Sequence, residues 1–252
     1  MGDSLSSQNW PSNERIIRKM QEHINENLGE NIWDELTANN VPTSSMSDAE
    51  LSRSTELLIS RFDRIADNNM ANKVFSQVRH GLERADFIWA REKFLHYGDI
   101  DTFAQALRDE QMKELHDHLH NQTEFYGQPI TTEVYDFVNS IDDLFYGKRY
   151  GDKILATAIP FRTLDYLHAK DTKKKQYYMC HCQFARESIL SDLPVSKTMC
   201  YCSLGHNLMF WETVLDAALK GDVVSSALDG NFHCKFVIYL PDDVTRKYVH
   251  TK

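Results

Sequence analysis

The chain has 252 residues, 42% of them hydrophobic and 26% charged, enough length and apolar content for a packed core and too much for disorder as the main state. No apolar run reaches the roughly 18 residues a membrane helix needs. The opening residues MGDSLSSQNWPSNE lack the basic and apolar regions of a secretory signal, so a cytoplasmic protein without a membrane partner is expected. The net charge of -9 is uneven: residues 1–148 hold 14 Lys and Arg against 26 Asp and Glu, and residues 149–252 hold 14 against 11. An acidic front repels phosphate backbones, and the basic run Lys173 to Lys175 is too short to hold a duplex, so nucleic acid is not expected as a partner.

In chain order, residues 1–12 read as a flexible polar leader. Ile16, Ile17, Met20, Ile24 and Leu28 share one stripe and predict a helix over 14–28, stopped by Gly29. Ser47 and Glu50 make a capping box that opens a helix with Leu51, Leu57, Leu58, Phe62 and Ile65 inward. Further helices are expected over 70–95, 101–121 and 131–146, the last stopped by Gly147. Beyond 148 the texture changes. Residues 152–169 fit a helical turn or a strand. Aromatic content makes 176–182 (QYYMCHC) and 198–202 (TMCYC) read as strands, and 208–219 reads as a helix ended by Gly221. Residues 223–228 and 232–240 flank Asp229-Gly230, a strong hairpin signal. The expected fold class is α+β: a helical N-terminal half (13–148), then a small antiparallel sheet packed with helices (149–252), with a soft boundary between them.

Cysteine carries the chemical signal. The five lie at 180, 182, 200, 202 and 234, and an odd count without a signal sequence points to reduced thiols. If Cys180-His181-Cys182 and Cys200-Tyr201-Cys202 sit on strands, both sulfurs of each pair face one side, with His181 and Tyr201 on the other. Four thiols converging from neighbouring strands suit zinc, copper(I) or an iron–sulfur centre. The spacing is less specific than a C-x₂-C knuckle, so core packing and a nucleophilic or redox cysteine stay open. Cys234 alternates with Phe232 and Phe236 and reads as core.

Arg186 beside the first pair would stabilise a thiolate or bind a carboxylate. Ser203, Gly205 and His206 stand before the next helix, where backbone N–H groups could hold an anion. Glu212, beside Trp211, is a candidate acid or base. His116, His118 and His120 with Glu114 lack the HExxH pattern and read as a polar helix end. No GxGxxG, Walker A, GxSxG or EF-hand string occurs.

The runs CHCQFARESIL, SKTMCYCSLGHNLMFWE and DVVSSALDGNFHCKFVIYLP resemble a group of bacterial and archaeal proteins with paired C-x-C motifs. That group is related to the L-2-amino-thiazoline-4-carboxylic acid hydrolase-like proteins and to the 4-vinyl reductase (predicted hydrocarbon-binding) domain. The resemblance spans about residues 155–245 and marks Cys180, Cys182, Cys200, Cys202, Gly205, Trp211, Glu212 and Cys234. It implies a small molecule enclosed between a curved antiparallel sheet and helices. Gln183 departs from a usual proline and His206 from a usual aromatic, and His80-Gly81 stands where the group has Cys-Gly, which removes a thiol.

The expected function is therefore a small-molecule-binding protein. Cys180, Cys182, Cys200 and Cys202 would hold zinc or another thiolate-bound metal, and His181, Arg186, Gly205 and Trp211 would line the ligand. One alternative is a cysteine-dependent hydrolase of a small cyclic amide or thiazoline, with Cys182 or Cys202 as nucleophile, His206 or His181 as base and Glu212 as acid or base. Another is an interaction module with structural cysteines. A homo-oligomer is left open.

Overall fold

In the computed structural model, which describes residues 12–191 and 194–250, the chain is α+β. Apart from Ser12, the expected leader lies outside the described residues. Ser12 caps helix α1 (Asn13–Leu28), which buries Ile17, Met20 and Ile24. After α2 (Ile32–Thr37), the expected capping box opens α3 (Asp48–Ile65): the Ser47 N–H donates to Glu50 Oε2 at 2.9 Å, and Ser47 Oγ accepts the Glu50 N–H at 3.4 Å. Its buried stripe is Leu51, Leu58, Ile59 and Phe62, whereas Ile65, expected inward, is 55% exposed at the helix end.

The single helix expected over 70–95 is broken into α4 (Asn68–Phe75) and α5 (Ile88–Tyr97). Between them Arg79, His80 and Gly81 have φ of 55°, 52° and 75°, a left-handed turn that cannot continue a right-handed helix. Helix α6 (Ile100–Asn121) follows, then a short ribbon of β1 (Glu124–Phe125) and β2 (Gln128–Pro129). Helix α7 (Thr132–Asn139) stops well short of 146. Positive φ at Phe145 and Gly147 then turns the chain into the main sheet.

That sheet is antiparallel, in the order β3 (Lys148–Tyr150), β4 (Lys153–Thr157), β6 (Lys235–Tyr239), β5 (Lys220–Ser225). The ambiguous stretch 152–169 supplies both a strand, β4, and a helix, α8 (Thr163–His168). Two expected strands are helical. Residues 176–182 fall mostly in α9 (Thr172–Met179), which Asp171 caps by accepting the Lys174 N–H at 2.9 Å. Residues 198–202 form a 3₁₀ turn, capped by Ser196, that runs directly into α10 (Tyr201–Leu215). In both places a polar cap satisfies the first free N–H groups, and tertiary packing overrides the strand preference of the aromatic residues. Helix α10 ends at Asp216, φ 54°, and not at Gly221, which lies inside β5. The expected hairpin is present, pairing Lys220 with Tyr239 and Val223 with Phe236. Its connection is longer than a two-residue turn, with Asp229 ending a 3₁₀ turn and Gly230 at φ 81°. Helix α11 (Asp242–Tyr248) closes the described chain.

The main core is continuous across residue 148: Phe62, Phe75, Phe94 and Phe103 of the front share it with Ile154, Phe210, Trp211 and Ile238 of the rear. A smaller cluster gathers Leu115, Phe125, Val134 and Val138. Helix α10 is the shared strut. Beneath the sheet, a Cβ on Gly221 would come within 2.9 Å of Leu204 Cδ1 and 2.4 Å of the Val237 carbonyl oxygen. Against the front, a Cβ on Gly205 would lie 2.0 Å from the carbonyl oxygen of Ser76. This contact brings the left-handed turn at 79–81 onto the first turns of α10. Among the described residues, no helix is long and apolar enough to cross a membrane.

Candidate functional site

All five cysteines are free thiols, and none lies in the strand geometry expected of the paired motifs. Cys180 follows the last residue of α9 and Cys182 sits in the next turn; Cys200 ends a 3₁₀ turn, Cys202 begins α10, and Cys234 precedes β6. They gather nonetheless, because α9, the start of α10 and the β5–β6 connection meet there. Each sulfur has a polar partner. The Cys182 N–H faces Cys180 Sγ, and the N–H groups of Phe184 and Ala185 face Cys182 Sγ. Cys200 Sγ and Ser226 Oγ share a hydrogen bond of 2.9 Å. The His80 N–H donates to Cys202 Sγ at 3.3 Å, and the Ala227 N–H to Cys234 Sγ at 3.4 Å.

Burial dominates the electrostatics. It pushes the Cys182 thiol up to about 11, and it lifts Cys180 and Cys200 well above the ordinary thiol range, where neighbouring thiols raise them further. Cys202 and Cys234 are raised by the same cause. Burial works oppositely on imidazole: His80 falls to about 3, with His206 beside it adding to the drop, and His206 falls to about 4. Their rings stack at 5.2 Å, and His80 Nε2 lies 3.0 Å from Ser203 Oγ. At neutral pH both thiols and rings are uncharged.

Arg186 is 4% exposed. Its Nη2 donates to Asp48 Oδ2 at 2.8 Å, and its guanidinium lies 3.8 Å from the centre of the Phe161 ring. Nε is 3.7 Å from Glu187 Oε1, beyond hydrogen-bond reach, and both Nε and Nη1 are buried without a hydrogen-bond partner. His181 is exposed, lies edge-on to Phe161 at 5.7 Å and directs its ring to the carbonyls of Ile159 and Pro160.

Three candidates named from sequence have structural partners of their own. Gly205 is a packing position, as its contact with Ser76 shows. Trp211 is 1% exposed and donates from Nε1 to the Tyr146 carbonyl at 2.9 Å, which makes it a core residue and not a ligand wall. Glu212 pairs with Arg79 at 3.1 Å and accepts the Leu219 N–H at 3.1 Å. Ten residues of helix separate it from Cys202, roughly 15 Å of rise, too far to exchange a proton there. Cys234, read as core, packs part-buried against the main core and also lies near other thiols. His118 lies 2.8 Å from Thr123 Oγ1 at the end of α6, in keeping with a polar helix end. His80, Ser226 and Ala227 were not legible as site residues; the His80-Gly81 pair was the one available signal, since glycine favours the left-handed turn.

Among the described residues no three of Cys, His, Asp and Glu already converge on one ion-sized position. An open cleft of about 640 Å³ has a polar wall that includes Asp63, Asp67, Ser196, Lys197, Thr198 and Asp229, and none of the five cysteines lines it. Comparison with protein-family models, with curated proteins and with solved structures finds no match to this chain. What the molecule itself shows is an α+β protein with a group of hydrogen-bonded thiols, Cys180 and Cys202 buried and Cys182, Cys200 and Cys234 part-buried.

Proposed function

We propose that this chain is a cytoplasmic small-molecule-binding protein built on a soft metal ion, zinc or another thiophilic metal. Thiolates of Cys180, Cys182, Cys200 and Cys202 would hold the ion, with Cys234 beside them. The observation that carries the reading is the polar partner at every sulfur. A neutral thiol is a weak acceptor, whereas a thiolate is stabilised by N–H and O–H groups directed at it, the arrangement that tunes metal-bound sulfur. A metal offsets the burial that keeps these thiols protonated: each one that binds gives up its proton to solvent and gains a bond to the cation. Free thiols drawn from three separate segments fit a reducing compartment.

A cysteine-dependent hydrolase finds less support, because it needs a thiolate beside an imidazole that takes its proton. Here the thiols are neutral, and His181 turns to the 159–160 carbonyls. Elemental analysis of protein purified anaerobically without chelator tests the proposal. About one zinc, iron or copper per chain is expected, with fewer than five thiols titratable until the metal is stripped. A metal ratio near zero with all five thiols titratable overturns it.

A further inference from the structure

We infer that Ser203 and His80 are a nucleophile and its general base, a site for acyl transfer from small uncharged esters that stands apart from the metal reading above. Ser203 Oγ and His80 Nε2 lie 3.0 Å apart, a separation at which an imidazole with its own proton on Nδ1 can take the proton of an attacking hydroxyl. Two contacts fix the histidine there. Its backbone N–H donates to Cys202 Sγ at 3.3 Å, and its ring stacks on His206 at 5.2 Å with 25° between the planes. The backbone carries the strain of this placement: Arg79 and His80, at φ 55° and 52°, hold a left-handed conformation that non-glycine residues keep only where surrounding contacts impose it. Such strain gathers at functional sites.

Helix α10 supplies the rest of the constellation. His206 and Asn207 follow Ser203 by three and four residues, the spacing that sets side chains next to one another on a helix. Asn207 Nδ2 donates to the Ser203 carbonyl at 2.8 Å, which uses one of its two N–H groups. The other is available to the oxyanion that forms when Ser203 adds to a carbonyl. Phe87 stands edge-on to His206 at 5.6 Å, an apolar wall suited to a short acyl chain. Ser203, His80, His206 and Asn207 are each part-exposed, which leaves them open to a small reagent. In the reaction Ser203 Oγ bonds the carbonyl carbon while its proton passes to His80 Nε2, and the bond to the leaving alcohol breaks as that proton moves onto the alcohol oxygen. Water then attacks the acyl-serine, His80 takes a proton from it and returns that proton to Ser203 Oγ, and a carboxylic acid departs.

The test exposes the folded full chain to diisopropyl fluorophosphate, whose fluoride leaves as Ser203 Oγ bonds phosphorus, and maps the adduct by peptide mass spectrometry. One adduct per chain is expected, on Ser203, forming about a hundredfold or more faster than on the serines of the urea-unfolded chain. The adduct should also abolish hydrolysis of p-nitrophenyl butyrate. His80→Asn suits a left-handed backbone but cannot take the proton, and Asn207→Ala removes the oxyanion donor while leaving both reacting groups in place. Each should slow labelling by about tenfold or more. A merely structural hydrogen bond gives a different pattern, a lower Tm in His80→Asn with the labelling rate of the folded fraction unchanged. An unchanged rate in either folded variant overturns the inference. So does a folded parent that takes no adduct, or takes it on another residue, whether or not the variants fold.

Discussion

A methyl group at Gly205 would meet the Ser76 carbonyl oxygen at 2.0 Å, so α10 can rest on the end of α4 only with glycine there. Gly205→Ala should destabilise the fold by about 1–3 kcal/mol, the usual cost of forcing atoms into a packed core. Urea unfolding measures it, and an unchanged midpoint would show that α10 can shift without penalty. At the same scale, burial decides how the thiols react. With Cys182 held up at about 11 and the other four also raised, metal-free protein at pH 7 should alkylate with iodoacetamide about a hundredfold more slowly than a free thiol of ordinary pKa. Residue-resolved mass spectrometry reads this directly; one cysteine labelling faster than free thiol would revive the nucleophile reading.

Among the elements, the left-handed turn at 79–81 and α10 depend on each other. Arg79 is tied to Glu212 at 3.1 Å, with both side chains less than one-fifth exposed, and to Met209 Sδ at 3.3 Å. Two consecutive non-glycine residues at positive φ cost on the order of 1–3 kcal/mol each and persist only where surrounding contacts hold them. Glu212→Gln should therefore speed amide exchange over residues 78–82 and lower stability by about 1–2 kcal/mol, without touching a sulfur. Protection that stays the same across that turn would mean the His80–Ser203 and His80–Cys202 contacts suffice. The elements also show where sequence reading reached its limit. Helices α1, α3 and α6 were legible because one apolar stripe, or a cap with its partner three residues on, is a local signal. Helix α9 was not, and α10 was legible only from Leu208 onward: its first turn and the 3₁₀ turn before it read as a strand. The aromatic and cysteine content of both segments mimics a strand.

Acid sensitivity belongs to the whole molecule. His80 and His206 sit at about 3 and about 4 in the fold against roughly 6.5 in an unfolded chain. As pH falls below about 6.5 the unfolded state takes up protons that the folded state refuses, so their contribution is complete above that pH and is lost progressively toward pH 4. Asp99 adds a second, lower window. Burial opposes its ionisation, but the N–H groups of His250 and Thr102 and the Thr102 hydroxyl outweigh it and hold the carboxyl below its ordinary value, so its stabilisation is lost as pH falls beneath about 4. Urea midpoints at pH 8, 7, 6 and 5 should be level at the top and fall between 7 and 5. A flat series would mean that the stacked imidazoles take up protons within the fold.

Composition and periodicity alone established an α+β protein with a helical front, a hairpin near the C-terminal end and five reduced cysteines, because those properties depend on local pattern and on counts. The spacing also set Arg186 four residues after Cys182, and the structure joins them in one turn. Only the tertiary structure decided which residues share the site. His80 meets Cys202 across 122 positions of chain, and Cys234, packed against the core, lies near the other thiols. Trp211 and Glu212 moved out, because helix geometry carries them up α10 and away from Cys202. The physical reason is that convergence in space is set by packing: α10 lies against the sheet through Gly221 and against the front through Gly205. Neither contact leaves a trace in the spacing of the cysteines themselves.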